Sequence, residues 1–216
     1  KYKEEDYVEQ KYDPPSEILD RLTTLENEIA SGIEELKGLG MRIVKVGDVV
    51  KIYKGRKPNI SDEKTKNSVR VLQIDDLRND NQLKYTEDKS GVLANEKDVL
   101  IAWDGANAGT IGYGKSGYIG STIAIIRIEV DNLDTVFLGK FLQTKVDFLR
   151  QKTTGTTIPH VDRKALESLK IPLPPLEEQI QIATVLSKAE NLIAKRKQGI
   201  ELLDEFVKST FLQMFG

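Results

Sequence analysis

Apolar residues recur every three or four positions at both ends of this chain and at closer intervals through its middle. The sequence therefore predicts two helices around a stranded unit. Ile18, Leu22, Leu25, Ile29, Ile33 and Leu36 form one stripe on a helix of about 20 residues. Ser16 is placed to cap it, Glu17 suits its first turn, and Gly38 and Gly40 stop it. From Arg42 the period shortens. Ile43, Val44, Val46, Val49, Val50 and Ile52 suggest two short strands around a turn at Gly47-Asp48. Val69–Ile74, Val99–Trp103, Thr122–Ile128 and Leu169–Leu173 read as further strands, and Asp75–Tyr85 as a polar loop. Thr135–Gln151 carries Val136, Leu138, Phe141, Leu142, Val146 and Leu149 at helical spacing, one amphipathic helix for packing on a sheet. Asp162 can cap a short helix ending near Leu166.

The periodicity is clearest at the C-terminus. Ile182, Leu186, Ala189, Ile193, Arg196, Ile200, Leu203, Val207, Thr210 and Met214 alternate in steps of four and three, a heptad seam. A helix of about 40 residues spans roughly 60 Å. Leu192, Phe206 and Phe211 widen the stripe. A lone helix with such a face is unstable, so a partner is expected: the N-terminal helix, a second copy of the chain, or another chain. Pro172, Pro174 and Pro175 close whatever precedes the rod, because proline lacks an amide donor and clashes with the turn before it. The expected fold is mixed α/β. An acidic linker and helix occupy 1–40, a compact domain of short, mostly antiparallel strands 41–175, and a coiled-coil helix 176–216.

Charge sharpens this division. The net charge of -2 conceals a strongly acidic segment 1–37, a middle 38–175 with 22 basic and 17 acidic side chains, and a nearly balanced C-terminal rod. The middle alone has the excess that suits a polyanion. Its basic side chains concentrate at Lys51, Lys54, Arg56, Lys57, Lys64, Lys66 and Arg70. Residues 1–15 read as a tail or linker. The chain begins with Lys and shows no signal-peptide pattern, which suggests a piece of a longer polypeptide. The absence of cysteine excludes disulfides and thiolate zinc sites and fits a cytoplasmic location. No apolar run approaches the roughly 20 residues of a membrane span.

Catalytic patterns are missing. The sequence has one histidine, His160, and no HExxH, GxSxG or GxxxxGK[ST] pattern. Asp13-Pro14-Pro15-Ser16 comes near a methyltransferase tetrapeptide but reads as a helix-entry device, with no strand before it. Adjacent Asp75 and Asp76 read as solvated acids rather than a metal site. The glycine-rich run from Asp104 to Gly120 reads as tight turns, and Trp103 as core. What remains is recognition. Arginine pairs with guanine edges, asparagine with adenine, and lysine and threonine with phosphates and base edges. The candidate DNA contacts are Lys54, Arg56, Lys57, Asn59, Arg70, Asp104, Asn107, Lys115, Lys152, Thr153, Thr154, Thr156, Thr157 and His160. For each, a solvated or turn-forming role competes with contact, and His160 reads first as structural.

Two runs carry a resemblance. Gly155-Thr156-Thr157-Ile158-Pro159-His160, followed by Leu169-Lys170-Ile171-Pro172-Leu173-Pro174-Pro175-Leu176-Glu177-Glu178-Gln179, resembles the specificity subunits of type I restriction–modification systems. Val46-Gly47-Asp48-Val49-Val50 resembles the entry to their target recognition domain, and the helix ending Phe211-Leu212-Gln213-Met214-Phe215-Gly216 resembles their spacer helix. The resemblance covers about residues 42–216 and implies a module that reads one half of a bipartite DNA target, with paired helices as a ruler. It implies no catalysis in this chain. S-adenosylmethionine, ATP and Mg are then expected on a modification (methyltransferase) subunit and a restriction subunit. A full specificity subunit has two recognition domains and two spacer helices, whereas this chain has one of each. A half-subunit that homodimerises, or pairs with a second spacer helix, fits that count. The acidic stretch Asp13–Leu39 resembles the tail of a modification subunit, which suits the specificity portion of a fused single-chain enzyme. A helical assembly module without DNA contact is the remaining alternative.

Overall fold

The computed structural model describes residues 42–153 and 159–215, together with Pro14, Glu17, Leu19, Asp20, Arg21, Thr23, Thr24 and Asn27. Lys1–Arg42 and Ile43–Gly216 are separate compact units. In the first, the described residues after Pro14 are helical. The Thr23 and Thr24 hydroxyls donate to the carbonyls of Leu19 and Asp20, both at 2.9 Å, as threonines inside a helix do. The expected stripe of Ile18, Leu22, Leu25, Ile29, Ile33 and Leu36 and its glycine stop lie outside the described residues.

The larger unit runs β1 (Arg42–Lys45), a 3-10 turn (Val46–Asp48), β2 (Val50–Lys54), β3 (Val69–Leu72), a 3-10 turn (Asp75–Leu77), β4 (Lys84–Thr86), β5 (Leu93–Ala94), β6 (Val99–Ala102), β7 (Ile111–Tyr113), β8 (Gly117–Ile119) and β9 (Ile123–Ile128). Then come α1 (Thr135–Gln143), α2 (Val146–Gln151), α3 (Arg163–Glu167), β10 (Lys170–Leu173) and α4 (Leu176–Phe215). The central sheet has the order β2-β9-β6-β7 and is antiparallel throughout. A second sheet, β4-β3-β8-β5, contains one parallel pair, β3 with β8.

The central strands β6 and β9 are apolar at every position but Arg127 because both faces of their sheet are covered. Val99, Ile101, Ala124 and Ile126 pack with Leu138, Leu142, Leu149 and Leu166 of the helices. The alternate residues Leu100, Ala102, Ile123 and Ile125 pack with Leu72 and Ile119 of the second sheet. The result is helices, sheet and sheet in layers. Arg127 forks at the sheet's base, donating from Nε and Nη2 to the two carboxylate oxygens of buried Asp98, at 2.9 and 2.7 Å. It also donates from Nη2 to the Leu93 carbonyl of the second sheet at 3.2 Å.

The two short strands expected around Gly47-Asp48 are both present, though not paired with each other. β1 pairs with β10, and Val46 N–H donates to the Leu169 carbonyl at 2.8 Å. The expected helix 135–151 is two helices. The Thr144 hydroxyl donates to the Phe141 carbonyl at 2.7 Å, and the Thr144 N–H is shared between the Lys140 and Phe141 carbonyls, which tightens and ends α1. The expected loop after Ile74 contains a 3-10 turn and β4. Asp76 is buried there rather than solvated, accepting from the Gln73 N–H and Arg70 Nη2, both at 2.7 Å.

The long helix is rooted by one side chain. Gln179 is fully buried. Its Oε1 accepts from the Asp134 N–H at 2.9 Å, and its Nε2 donates to the carbonyls of Asn132 and Pro174, both at 2.8 Å. A second tie lies further along, where buried Lys140 on α1 donates to Glu190 Oε2 at 2.7 Å. Burial alone would lower the Lys140 pKa, but the Glu190 carboxylate and the Tyr113 hydroxyl outweigh it and raise it above its ordinary 10.5. Beyond that point the seam is bare: Ile200, Leu203, Phe206, Val207 and Met214 are each more than 60% exposed. No described helix is long and apolar enough to cross a membrane.

Candidate nucleic-acid interface

Antiparallel pairing brings the end of β2, the start of β9 and the end of β6 to one edge of the central sheet. Lys54 lies opposite Ala124, and Ala102 opposite Ile123. The loops that leave this edge are the polar ones singled out by their composition. Lys54 Nζ pairs with Asp104 Oδ2 at 2.9 Å, joining the β2 and β6 loops. Asp104 and His160 form an isolated backbone bridge. On either side of it, Gly105 N–H donates to the Pro159 carbonyl and Val161 N–H to the Trp103 carbonyl, at 2.8 and 2.9 Å. The chain returning toward α3 is thereby stitched to the β6 loop. Asp162 then caps α3, accepting at Oδ1 from the N–H groups of Lys164 and Ala165.

Gly55 explains how β2 comes so close to the β8–β9 junction. A Cβ there would sit 2.2 Å from the Gly120 carbonyl oxygen and 2.7 Å from that of Ile119. Gly105 and Gly109, at φ +93° and +87°, supply the left-handed backbone that turns the β6–β7 loop. Arg150 Nε on α2 donates to the Ala108 carbonyl at 3.3 Å, so the C-terminal end of α2 meets the same loop.

The structure thus gathers Lys54, Asp104, Asn107, Thr153 and His160 around one end of the sheet, with Arg56 and Lys57 in the loop after β2 and Lys152 at the end of α2. Arg56, Lys57 and Lys152 are exposed. The Thr153 hydroxyl donates to the Arg150 carbonyl at 2.8 Å. Thr154, Thr156 and Thr157 lie outside the described residues. Asn59 is exposed further along the β2–β3 loop. Arg70 and Lys115 stand elsewhere, on the second sheet and the β7–β8 turn, where both pair with Asp80. Lys115 does so at 2.7 Å, and Arg70 reaches Asp76 as well. The sequence reading passed over Arg78, whose Nη2 donates to Asn107 Oδ1 at 2.7 Å. Its neighbours Asp75, Asp76 and Asp80 mask it in any local charge count. Among the described residues, no group of three or more His, Cys, Asp or Glu side chains is placed to share a metal ion.

Fold and site together define a class: a rigid β scaffold that presents polar, cation-bearing loops at one end and is rooted on a long helix at the other. Residues 39–202 match the model of the type I restriction modification DNA specificity domain, and the chain belongs to that family. It is 38% identical over 188 residues to the type I restriction enzyme MjaVIII specificity subunit of Methanocaldococcus jannaschii, covering 84% of this chain and 44% of that protein. It is 24% identical over 147 residues to the EcoBI specificity subunit of Escherichia coli, covering 65% of this chain and 31% of the relative. This chain therefore spans less than half the length of either. The crystal structure of the HsdS subunit from Thermoanaerobacter tengcongensis shares the fold, with a TM-score of 0.59 at 24% identity over 85% of this chain and 49% of the other.

Proposed function

We propose that this chain is a DNA-binding specificity module that reads one half of a bipartite target and directs an adenine methyltransferase and restriction complex to it. The observation that carries this reading is the convergence of polar loops at one end of the central sheet, opposite the buried root of a 40-residue helix. Family membership supports it and disfavours a helical assembly module without DNA contact.

In this reading Arg56, Lys57 and Lys152 neutralise phosphates, and Asn107, Thr153, Thr154, Thr156, Thr157 and His160 are the candidate contacts to base edges. Lys54 and Asp104 hold two loops in register, and Arg70 and Lys115 brace the scaffold behind. The chain performs no bond-making step. S-adenosylmethionine, ATP and Mg belong to the modification and restriction subunits, in the cytoplasm where the DNA lies. The bare seam of α4 is covered by a second spacer helix, from a homodimer partner or a second specificity half, and the helix pair sets the distance between half-sites.

Equilibrium binding to duplex DNA across a salt series tests this. Arg56→Ala with Lys57→Ala is expected to flatten the dependence of log K on log salt by about two ion equivalents. It should weaken cognate and unrelated duplexes alike. An unchanged slope would reject the phosphate assignment.

A further inference from the structure

The segment after β3, Asp75 to Gln82, is the most polar turn of the second sheet, and the expected contact set leaves its carboxamides out. It is not a loose loop. Asp76 and Leu77 are buried, and Leu77 packs tightly on Gly112 of β7, where an added Cβ would stand 3.1 Å from its atoms. Asp80 is clamped by Arg70 and Lys115. Asn79 Oδ1 accepts from the Asn81 N–H at 3.1 Å. From this base project Arg78, Asn79, Asn81 and Gln82, all exposed, around an open polar cleft of about 230 Å³. The Arg78–Asn107 bond joins the turn directly to the loops at the reading end.

Charge separates this turn from the basic loops. Asp75, Asp76 and Asp80 offset Arg70, Arg78 and Lys115, so the cluster carries no net charge to draw it to phosphates. What it offers instead is neutral amide groups, each with a donor and an acceptor, on a preorganised support. That is the chemistry that pairs with the N6 and N7 edge of adenine in the major groove.

We infer that Asn81 and Gln82 are specificity-determining residues that read an adenine-containing base pair, while the cations of the neighbouring loops supply affinity. The inference rests on the DNA-reading function proposed above. Selection from a randomised duplex library by the full chain, wild type against Asn81→Ala with Gln82→Ala, separates the two. The expected result is a wild-type motif that becomes degenerate at one or two adjacent positions in the double variant. Discrimination there should fall about 5- to 150-fold, with the other positions, the salt slope and the melting temperature unchanged. Asn81→Gln, which keeps the amide, is expected to retain more of the preference than Asn81→Ala. An identical motif from wild type and double variant overturns the inference and leaves the DNA-reading function standing. No enriched motif from the wild type overturns both.

Discussion

Gln179 shows how one side chain fixes the root of the long helix. Within the run Leu176-Glu177-Glu178-Gln179, the two glutamates suit a helix N-terminus, but the glutamine is the side chain that disappears into the protein. It satisfies one backbone N–H and two carbonyls. Gln179→Leu keeps much of the volume and strands those groups, so it is expected to cost roughly 1–3 kcal/mol, read as a lowered melting temperature. Arg127→Leu leaves Asp98 buried without its counter-charge, and by the usual cost of breaking such a pair is expected to lose about 3 kcal/mol. Asp80 gives a pH signature. Hydrogen bonds from Arg70 and Lys115 hold its pKa below the ordinary 3.8. A depressed carboxylate contributes stability above its unfolded pKa and loses it as pH falls through the folded value. Wild type should therefore lose stability below pH 3.8 more steeply than Asp80→Asn. Because Asp80 is half exposed, the difference should stay under about 1 kcal/mol.

At the scale of elements, the sequence was most legible where the period was long or the chemistry local. The heptad seam announced α4, the β-branched run announced β9, and Asp162 was recognisable as a cap. The misses have physical causes. β1 finds its partner in β10, more than a hundred residues away, and no local pattern encodes that pairing. The apolar period runs straight through Thr144 because α1 and α2 cover the same core, so periodicity could not reveal the break that a single hydroxyl makes. Among candidate contacts, composition picked out polar loops that the fold gathers at one end of the central sheet, but could not rank their cations. Lys115 and Lys57 look alike in sequence, yet one is bound to Asp80 and the other is exposed. The N-terminal stripe and the central threonine run fall largely or wholly outside the described residues.

The α4 seam carries its own prediction. Val207→Glu with Phe206→Lys places charge on a face that is already more than 60% exposed at both positions. The fold of the β scaffold should not change, and its melting temperature should stay within about 0.5 kcal/mol-equivalent of wild type. If the seam pairs with a second spacer helix, sedimentation should show the variant shifted toward monomer relative to wild type. Identical sedimentation of wild type and variant would count against pairing through this stripe.

For the molecule as a whole, the layered core keeps two jobs apart. β9 is six residues long, so at about 3.4 Å per residue roughly 20 Å separates the loops at its start from the Gln179 anchor beyond its end. Loop sequence can then vary without moving the helix root, and the helix can be docked without disturbing the loops. The central claim is that the loops alone set which DNA is chosen. It is tested most directly by exchanging segments 54–59, 75–82 and 153–160 for those of a relative with a different target, assembling the chimera with its modification subunit, and mapping the methylated adenines by sequencing. A changed recognition sequence confined to one half of the bipartite site is the predicted result. Methylation of the original sequence by the chimera would contradict it.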